Sequence, residues 1–282
     1  MSSRRNQDRI SAPSPDTSPT PAATQQSDIF SYVVPTEFVD LPSEGKFYEE
    51  GHALHGKSSI EIKHMTAKEE DILTSESLLR KGLAIDRLLQ SLMVDKTIKL
   101  DDLLMGDKNA LIVGARITGY GAAYETSVTC PECRQRAQIE FDLDAILPRE
   151  NTIPDGVYRS EENTYFIKLP QTGAEVEIQL MTGHEERLFT AAGERKRKKK
   201  VRETTTTDLL KLLIVSVNGH EDPESIKNLL DVLPVKDSVH IRNVYEQVSP
   251  DLDLNQYFEC SSCEHEGSIG VPLNADFFWP NR

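Results

Sequence analysis

All four cysteines of this chain fall into two Cys-x-x-Cys pairs, Cys130-Pro131-Glu132-Cys133 and Cys260-Ser261-Ser262-Cys263. The residues that follow run in matching phase. Ala137, Ile139, Phe141 and Leu143 follow the first pair; Gly267, Ile269, Val271 and Leu273 follow the second. Alternation with a period of two puts each pair at a tight turn that feeds a strand with one apolar face. Two thiolates from each turn would complete one tetrahedral zinc site, so Cys130, Cys133, Cys260 and Cys263 are the candidate metal ligands. Four thiolates leave no coordination position for water, so such a zinc is structural and catalyses nothing. A redox dithiol and inert thiols are the alternatives, but neither pair has the βαβ setting of a thioredoxin-like motif. His265, just beyond Cys263, is a spare ligand or, in the plainer reading, an exposed side chain.

The chain also repeats itself. Ile60-Glu61-Ile62-Lys63-His64-Met65-Thr66-Ala67-Lys68-Glu69-Glu70 aligns with Val176-Glu177-Ile178-Gln179-Leu180-Met181-Thr182-Gly183-His184-Glu185-Glu186. Each copy runs from a short strand into Thr-x-x-Glu, the pattern of a capping box, which starts a helix. A second helix follows over Ile85–Met93, with apolar residues at i, i+3, i+4, i+7 and i+8. Its counterpart, 209–215, is apolar nearly all round and is expected to be helical and more deeply buried. Asp107 and Asp237 are expected to N-cap a third helix, each 23 residues before its first cysteine. Copy two carries a net insertion, part of it the basic run Arg195–Arg202 followed by Glu203 and four threonines.

The expected fold class is therefore α+β: two related strand-helix-zinc-knuckle units joined at a four-cysteine, zinc ribbon-like site. Residues 1–28, rich in Ser, Pro, Thr, Gln and Ala, cannot bury enough surface to offset their ordering entropy, and are expected to be a disordered tail. Order is expected from Ile29. The divisions are then an extended arm over 29–58, a first unit over 59–150 and a second over 151–282.

Composition excludes several functions. Lys+Arg 32 against Asp+Glu 46 leaves a net charge of -14, which disfavours generic nucleic-acid binding. The basic run 195–202 is the one credible polyanion site, read either as such or as a solvated loop or frayed helix end. No apolar stretch approaches the ~20 residues of a membrane helix, and the start lacks the apolar core of a secretory signal. No GxSxG, HExxH or helix-opening GxGxxG occurs, so no enzyme is expected. Gly114, Gly119 and Gly121 suit a turn, and His52-x-x-His55 suits a loop. The aromatics Phe277, Phe278 and Trp279 either pack on their own domain or anchor in a partner's groove.

Some segments resemble the baseplate hub subunits and hub-assembly proteins of T4-like contractile-tailed phages. They are Phe38-Val39-Asp40-Leu41-Pro42-Ser43, Met65 to Leu73, Ile85-Asp86-Arg87-Leu88-Leu89 and Thr129-Cys130-Pro131-Glu132-Cys133. The resemblance is strongest over 36–145. It implies a virion-assembly role in the baseplate or, during assembly, in the host cytoplasm. The implied partners are other hub and tail proteins, with self-association possible and no membrane. The rival from another class is a zinc-ribbon nucleic-acid-binding factor using 195–202.

Overall fold

Strand β1 (Thr36–Asp40) pairs antiparallel with β2 (Ser59–Lys63), so the segment expected as an extended arm supplies a paired strand. The computed structural model describes residues 33–80, 82–199, 204–273 and 275–278. The expectations for 1–28, and for order beginning at Ile29, lie outside the described residues. From Pro35 onward the chain packs as one unit around a continuous apolar core.

After β2 come α1 (Ala67–Thr74), α2 (Glu76–Arg80), α3 (Ala84–Leu92) and α4 (Met105–Tyr120). The hairpin β3 (Ala123–Thr129) and β4 (Arg136–Asp142) follows. A four-stranded antiparallel sheet then forms from β5 (Val157–Arg159), β6 (Tyr165–Lys168), β7 (Glu175–Ile178) and β8 (Ile214–Val217). Between β7 and β8 lie α5 (Gly183–Lys198) and α6 (Thr205–Leu213). Next come α7 (Pro223–Val232), α8 (Val235–Val248) and the hairpin β9 (Asn255–Glu259) and β10 (Glu266–Gly270).

Both capping boxes form. Thr66 precedes α1 and Thr182 precedes α5, and their backbone N–H groups donate to Glu69 (3.2 Å) and Glu185 (2.9 Å). The third helices do not start where expected. Asp107 and Asp237 sit inside the first turns of α4 and α8, which begin after Leu104 and Pro234. Neither carboxylate caps its own helix in the way the sequence suggests; both reach out of it. Asp107 accepts from the Ser43 backbone N–H (3.0 Å), the Ser43 hydroxyl (2.6 Å) and the Tyr48 hydroxyl (2.6 Å), while Tyr48 accepts from Leu104 N–H (3.1 Å). Asp237 accepts from the backbone N–H groups of Gln171 (2.8 Å) and Thr172 (2.9 Å).

The two clasped loops share a motif that sequence reading missed. Leu41-Pro42-Ser43-Glu44-Gly45 and Leu169-Pro170-Gln171-Thr172-Gly173 both read Leu-Pro-x-x-Gly, and both glycines take φ +70°. That backbone region favours glycine over any residue with a Cβ. Each loop follows the first strand of an antiparallel pair: β1 before β2, and β6 before β7.

Three other expectations change. The apolar run 209–215 is divided: α6 ends at Leu213, and Ile214 opens β8, which pairs with β7. Met93, just after α3, bridges Ile62 of β2 in the same way. Nor is α6 the more deeply buried helix, since it buries Leu210 and Leu213 where α3 buries Ala84, Leu88, Leu89 and Leu92. Most of the extra length in the second half is α7, placed between β8 and α8 and contributing no fully buried residue. Finally, Gly114 and Gly119 lie within α4 rather than in a turn. A Cβ there would meet Val39 Cγ2 at 2.5 Å and Met65 Sδ at 2.7 Å, so both glycines let β1 and the post-β2 segment approach the helix. Gly121 alone, at φ +85°, makes the turn.

Contacts between the halves are polar as well as apolar. The ammonium of buried Lys108 lies 2.8 Å from Asp86 and 2.5 Å from Glu186, and Asn109 donates to Asp251 (3.1 Å). Backbone bonds join Met105 N–H to the Met181 carbonyl (3.1 Å) and Gly183 N–H to the Leu103 carbonyl (2.9 Å).

Candidate metal centre

Each Cys-x-x-Cys pair sits in the turn of a hairpin, and the two turns have the same backbone. Thr129 pairs with Arg136 at the end of β3–β4, and Glu259 with Glu266 at the end of β9–β10. In the first turn Cys130 N–H donates to the Gln135 carbonyl (2.9 Å) and Arg134 N–H to the Cys130 carbonyl (3.0 Å). In the second, Cys260 N–H donates to His265 (2.9 Å) and Glu264 N–H to Cys260 (2.9 Å). Arg134 and Glu264 both take positive φ, 60° and 56°, which closes each knuckle.

The hairpins meet knuckle to knuckle. Cys130 Sγ lies 3.8 Å from Cys263 Sγ and Cys133 Sγ 3.7 Å from Cys260 Sγ, and all four sulfurs lie within 4.8 Å of one another. Sulfurs at ~2.3 Å from a tetrahedral zinc stand ~3.8 Å apart, so these separations fit a shared ion with little adjustment. The site could hold a metal ion; none of the four forms a disulfide. Cys130 and Cys260 are buried, Cys133 is half-buried and Cys263 exposed. Gln256 ties the hairpins side by side, its amide donating to the Asp142 carbonyl (2.6 Å) and accepting from Asp142 N–H (3.1 Å).

Titration of the cluster is already uneven. The backbone N–H of Ser262 is the main influence that brings the Cys260 thiol down to about 7. At Cys263 the His265 N–H pulls down, but burial and hydrogen bonds with the three other thiols outweigh it and push the group up to about 12. Crowded thiols cannot all ionise without a cation between them, and a divalent ion would remove that conflict. His265 contributes its backbone to the knuckle, and its ring lies beside Gly267; the metal-capable cluster among the described residues is the four cysteines alone.

The remaining candidates take structural places. Phe277 and Phe278 are fully buried; Phe277 packs edge-on against Tyr124 (4.9 Å) and its carbonyl accepts from Arg116 Nε (2.9 Å). They pack on their own domain, while Trp279 lies outside the described residues. His52 stacks on Tyr48 at 4.6 Å, and His55 Nδ1 lies 2.6 Å from the Tyr48 carbonyl, both in the loop between β1 and β2. Of the basic run, Arg195, Lys196, Arg197 and Lys198 form the last turn of α5, where the helix dipole favours cations. Lys196 is held by Asp208 (2.5 Å) and Lys198 by Glu194 (3.5 Å), which offsets part of the positive field; Lys200 to Arg202 lie outside the described residues. No helix among the described residues is long and apolar enough to cross a membrane.

Neither a curated protein nor a solved structure matches the chain. Residues 34–160 match the family described as T4 bacteriophage base plate protein. That span holds the β1–β2 pair, the clasp at Asp107 and the first cysteine knuckle. Over that span, 127 of the 282 residues, the chain is similar to the T4-like phage base plate proteins.

Proposed function

We propose that this protein is a non-enzymatic structural or assembly component of a contractile phage tail, acting as a central hub subunit or hub-assembly factor of the baseplate. The observation that carries the reading is the base plate family match over residues 34–160. Its partners would be other hub and tail proteins, and its place the virion tail or, before that, the host cytoplasm. Zinc on Cys130, Cys133, Cys260 and Cys263 would be structural, joining two hairpins far apart in sequence. The body would be a duplicated unit, running strand pair, Leu-Pro-x-x-Gly loop, capped helix, clasping aspartate and zinc knuckle. The matched knuckles, capping boxes and aspartate clasps support that duplication.

The test is co-purification of the full chain with individually expressed baseplate hub proteins, read by light scattering at physiological salt. A stoichiometric complex is expected. Absence of any such complex, together with salt-sensitive binding to DNA or RNA that is lost when residues 195–202 are neutralised, would replace this reading with the nucleic-acid one. Zinc is expected at a single ion per chain by elemental analysis.

A further inference from the structure

The outer edge of β1 has a counterpart in the second half of the chain, and there the edge is occupied. Superposing the Leu-Pro-x-x-Gly motifs, Leu41 on Leu169, places Phe38 on Phe166, Val39 on Ile167 and Glu37 on Tyr165. In β6, Leu169 N–H bonds to the Ala174 carbonyl (2.8 Å), so Phe166 turns its backbone away from β7. It turns it toward β5. Tyr158 pairs with Phe166 and their rings stack at 5.0 Å and 14°, with Val157 opposite Ile167 and Arg159 opposite Tyr165.

The same geometry holds at β1. Bonds from His64 N–H to Pro35 (2.9 Å) and from Leu41 N–H to Ser58 (2.8 Å) fix which residues face β2. Thr36, Phe38 and Asp40 therefore aim their N–H and C=O groups at the opposite edge, where no strand lies among the described residues. The Phe38 side chain is 66% exposed. Beside this edge runs a cleft of about 220 Å³, lined by Val39, Val113, Ile117, Leu143, Ile146 and Leu147. No β2 residue lines it, so it lies on the open side of β1.

We propose that the outer edge of β1 is a strand-addition site for an extended segment of another protein. The segment runs antiparallel to β1, with an apolar residue opposite Val39, an aromatic residue opposite Phe38 and a basic residue opposite Glu37. Main-chain bonds to Phe38 supply the attachment, the cleft takes the apolar residue, and Phe38 stacks on the aromatic one. The acidic residues Glu37 and Asp40 select a basic strand. A second copy paired Phe38 to Phe38 would set Val39 against Glu37 and Thr36 against Asp40, and so would supply neither with a basic residue. The inference goes beyond the baseplate reading and rests on it only for where the partner is found.

The test titrates the full chain with a fluorescein-labelled peptide carrying Lys-Val-Tyr-Arg-Lys at its centre, read by anisotropy. Phe38→Ala is expected to weaken binding roughly tenfold. Phe38→Pro is expected to abolish it with the thermal midpoint kept, because the lost N–H points away from β2. Amide exchange at Phe38 and Asp40 should slow on binding, while Glu37 and Val39 stay as they were. Equal binding by wild type and both variants, or protection elsewhere on the surface, would overturn the proposal. So would a Phe38 amide already protected without peptide, whether in a dimer (a second copy) or in a monomer (the chain's own residues before Pro35). A peptide that binds while hub proteins do not would sink the baseplate reading and leave this inference standing.

Discussion

Asp107 and Asp237 occupy the same place in their helices and clasp the same motif, yet their removal should have very different consequences. Asp107 serves three donors, and the loop it holds is dry: Leu41, Pro42, Ser43 and Gly45 are buried, as is Tyr48. Asp107→Ala leaves the Ser43 N–H, the Ser43 hydroxyl and the Tyr48 hydroxyl without that acceptor where water cannot reach easily. At ~1–3 kcal/mol for each stranded donor, less the relief of removing a buried carboxylate, the cost should be about 3–5 kcal/mol. Asp237 serves two backbone N–H groups on Gln171 and Thr172, both exposed residues, so water can replace it and the cost should be about 1 kcal/mol. Urea unfolding at fixed zinc, followed by circular dichroism, measures both. Two variants within about 1 kcal/mol of each other, or a larger loss for Asp237→Ala, would refute the argument from burial.

The pH dependence of the same pair runs in opposite directions. Burial raises the Asp107 carboxyl above the ordinary carboxylate range despite its hydrogen bonds. Its stabilisation is therefore full below the unfolded value of ~3.9 and is lost as pH rises through the raised folded value. At Asp237 burial also raises, but the Thr172 and Gln171 N–H groups outweigh it and the net shift is downward. That stabilisation is present above ~3.9 and is lost as pH falls through the lowered value. Relative to its Asn variant, wild-type Asp107 should thus gain stability on acidification and wild-type Asp237 should lose it.

Three further outcomes are expected. Cys260→Ser should release the zinc and, for a site loaded at a thousandfold excess over Kd, lower stability by about 4 kcal/mol; calorimetry with and without chelator checks this, and an unchanged midpoint would remove the structural ion. Gly106→Ala should destabilise far more than Gly114→Ala, because its Cβ would collide with the Pro250 backbone whereas that of Gly114 meets a side-chain methyl of Val39 that can turn; thermal melts of both variants decide it. Lys108→Ala should cost about 3 kcal/mol by leaving Asp86 and Glu186 without their buried partner. The two carboxylates raise the Lys108 ammonium above its usual value although burial opposes them. Its stabilisation should therefore persist below ~10.4 and fade as pH rises beyond that, an effect absent from the variant's alkaline unfolding curve.

The cysteine spacing, the strand phase beyond it and the Thr-x-x-Glu boxes are short-range signals, and each formed where the sequence places it. Their information lies within a turn or a few strand residues, so no distant partner is needed to interpret them. The signals that misled were those with a distant partner. Asp107 looks like a cap because capping is the local use of an aspartate near a helix start, whereas its partners lie 59 and 64 residues away. The run 209–215 looks helical throughout because nothing local reveals that β7 will recruit Ile214 into a sheet. Gly114 and Gly119 look like turn residues until Val39 and Met65 are packed against α4. The repeated Leu-Pro-x-x-Gly was present in the sequence and could have been found by extending the self-comparison upstream.

By itself, the sequence determined that this chain carries two equivalent cysteine turns, two capped helix starts and a net charge of -14. Tertiary structure alone decided that the two turns face one another with sulfurs 3.7–3.8 Å apart, and that one clasping aspartate holds a buried loop while the other holds an exposed one. It also decided that β5 covers the edge of β6, whereas no strand among the described residues covers that of β1. The physical reason is range. Dihedral preference and periodicity act over a few residues, whereas burial, sulfur geometry and strand pairing depend on which distant segment arrives alongside.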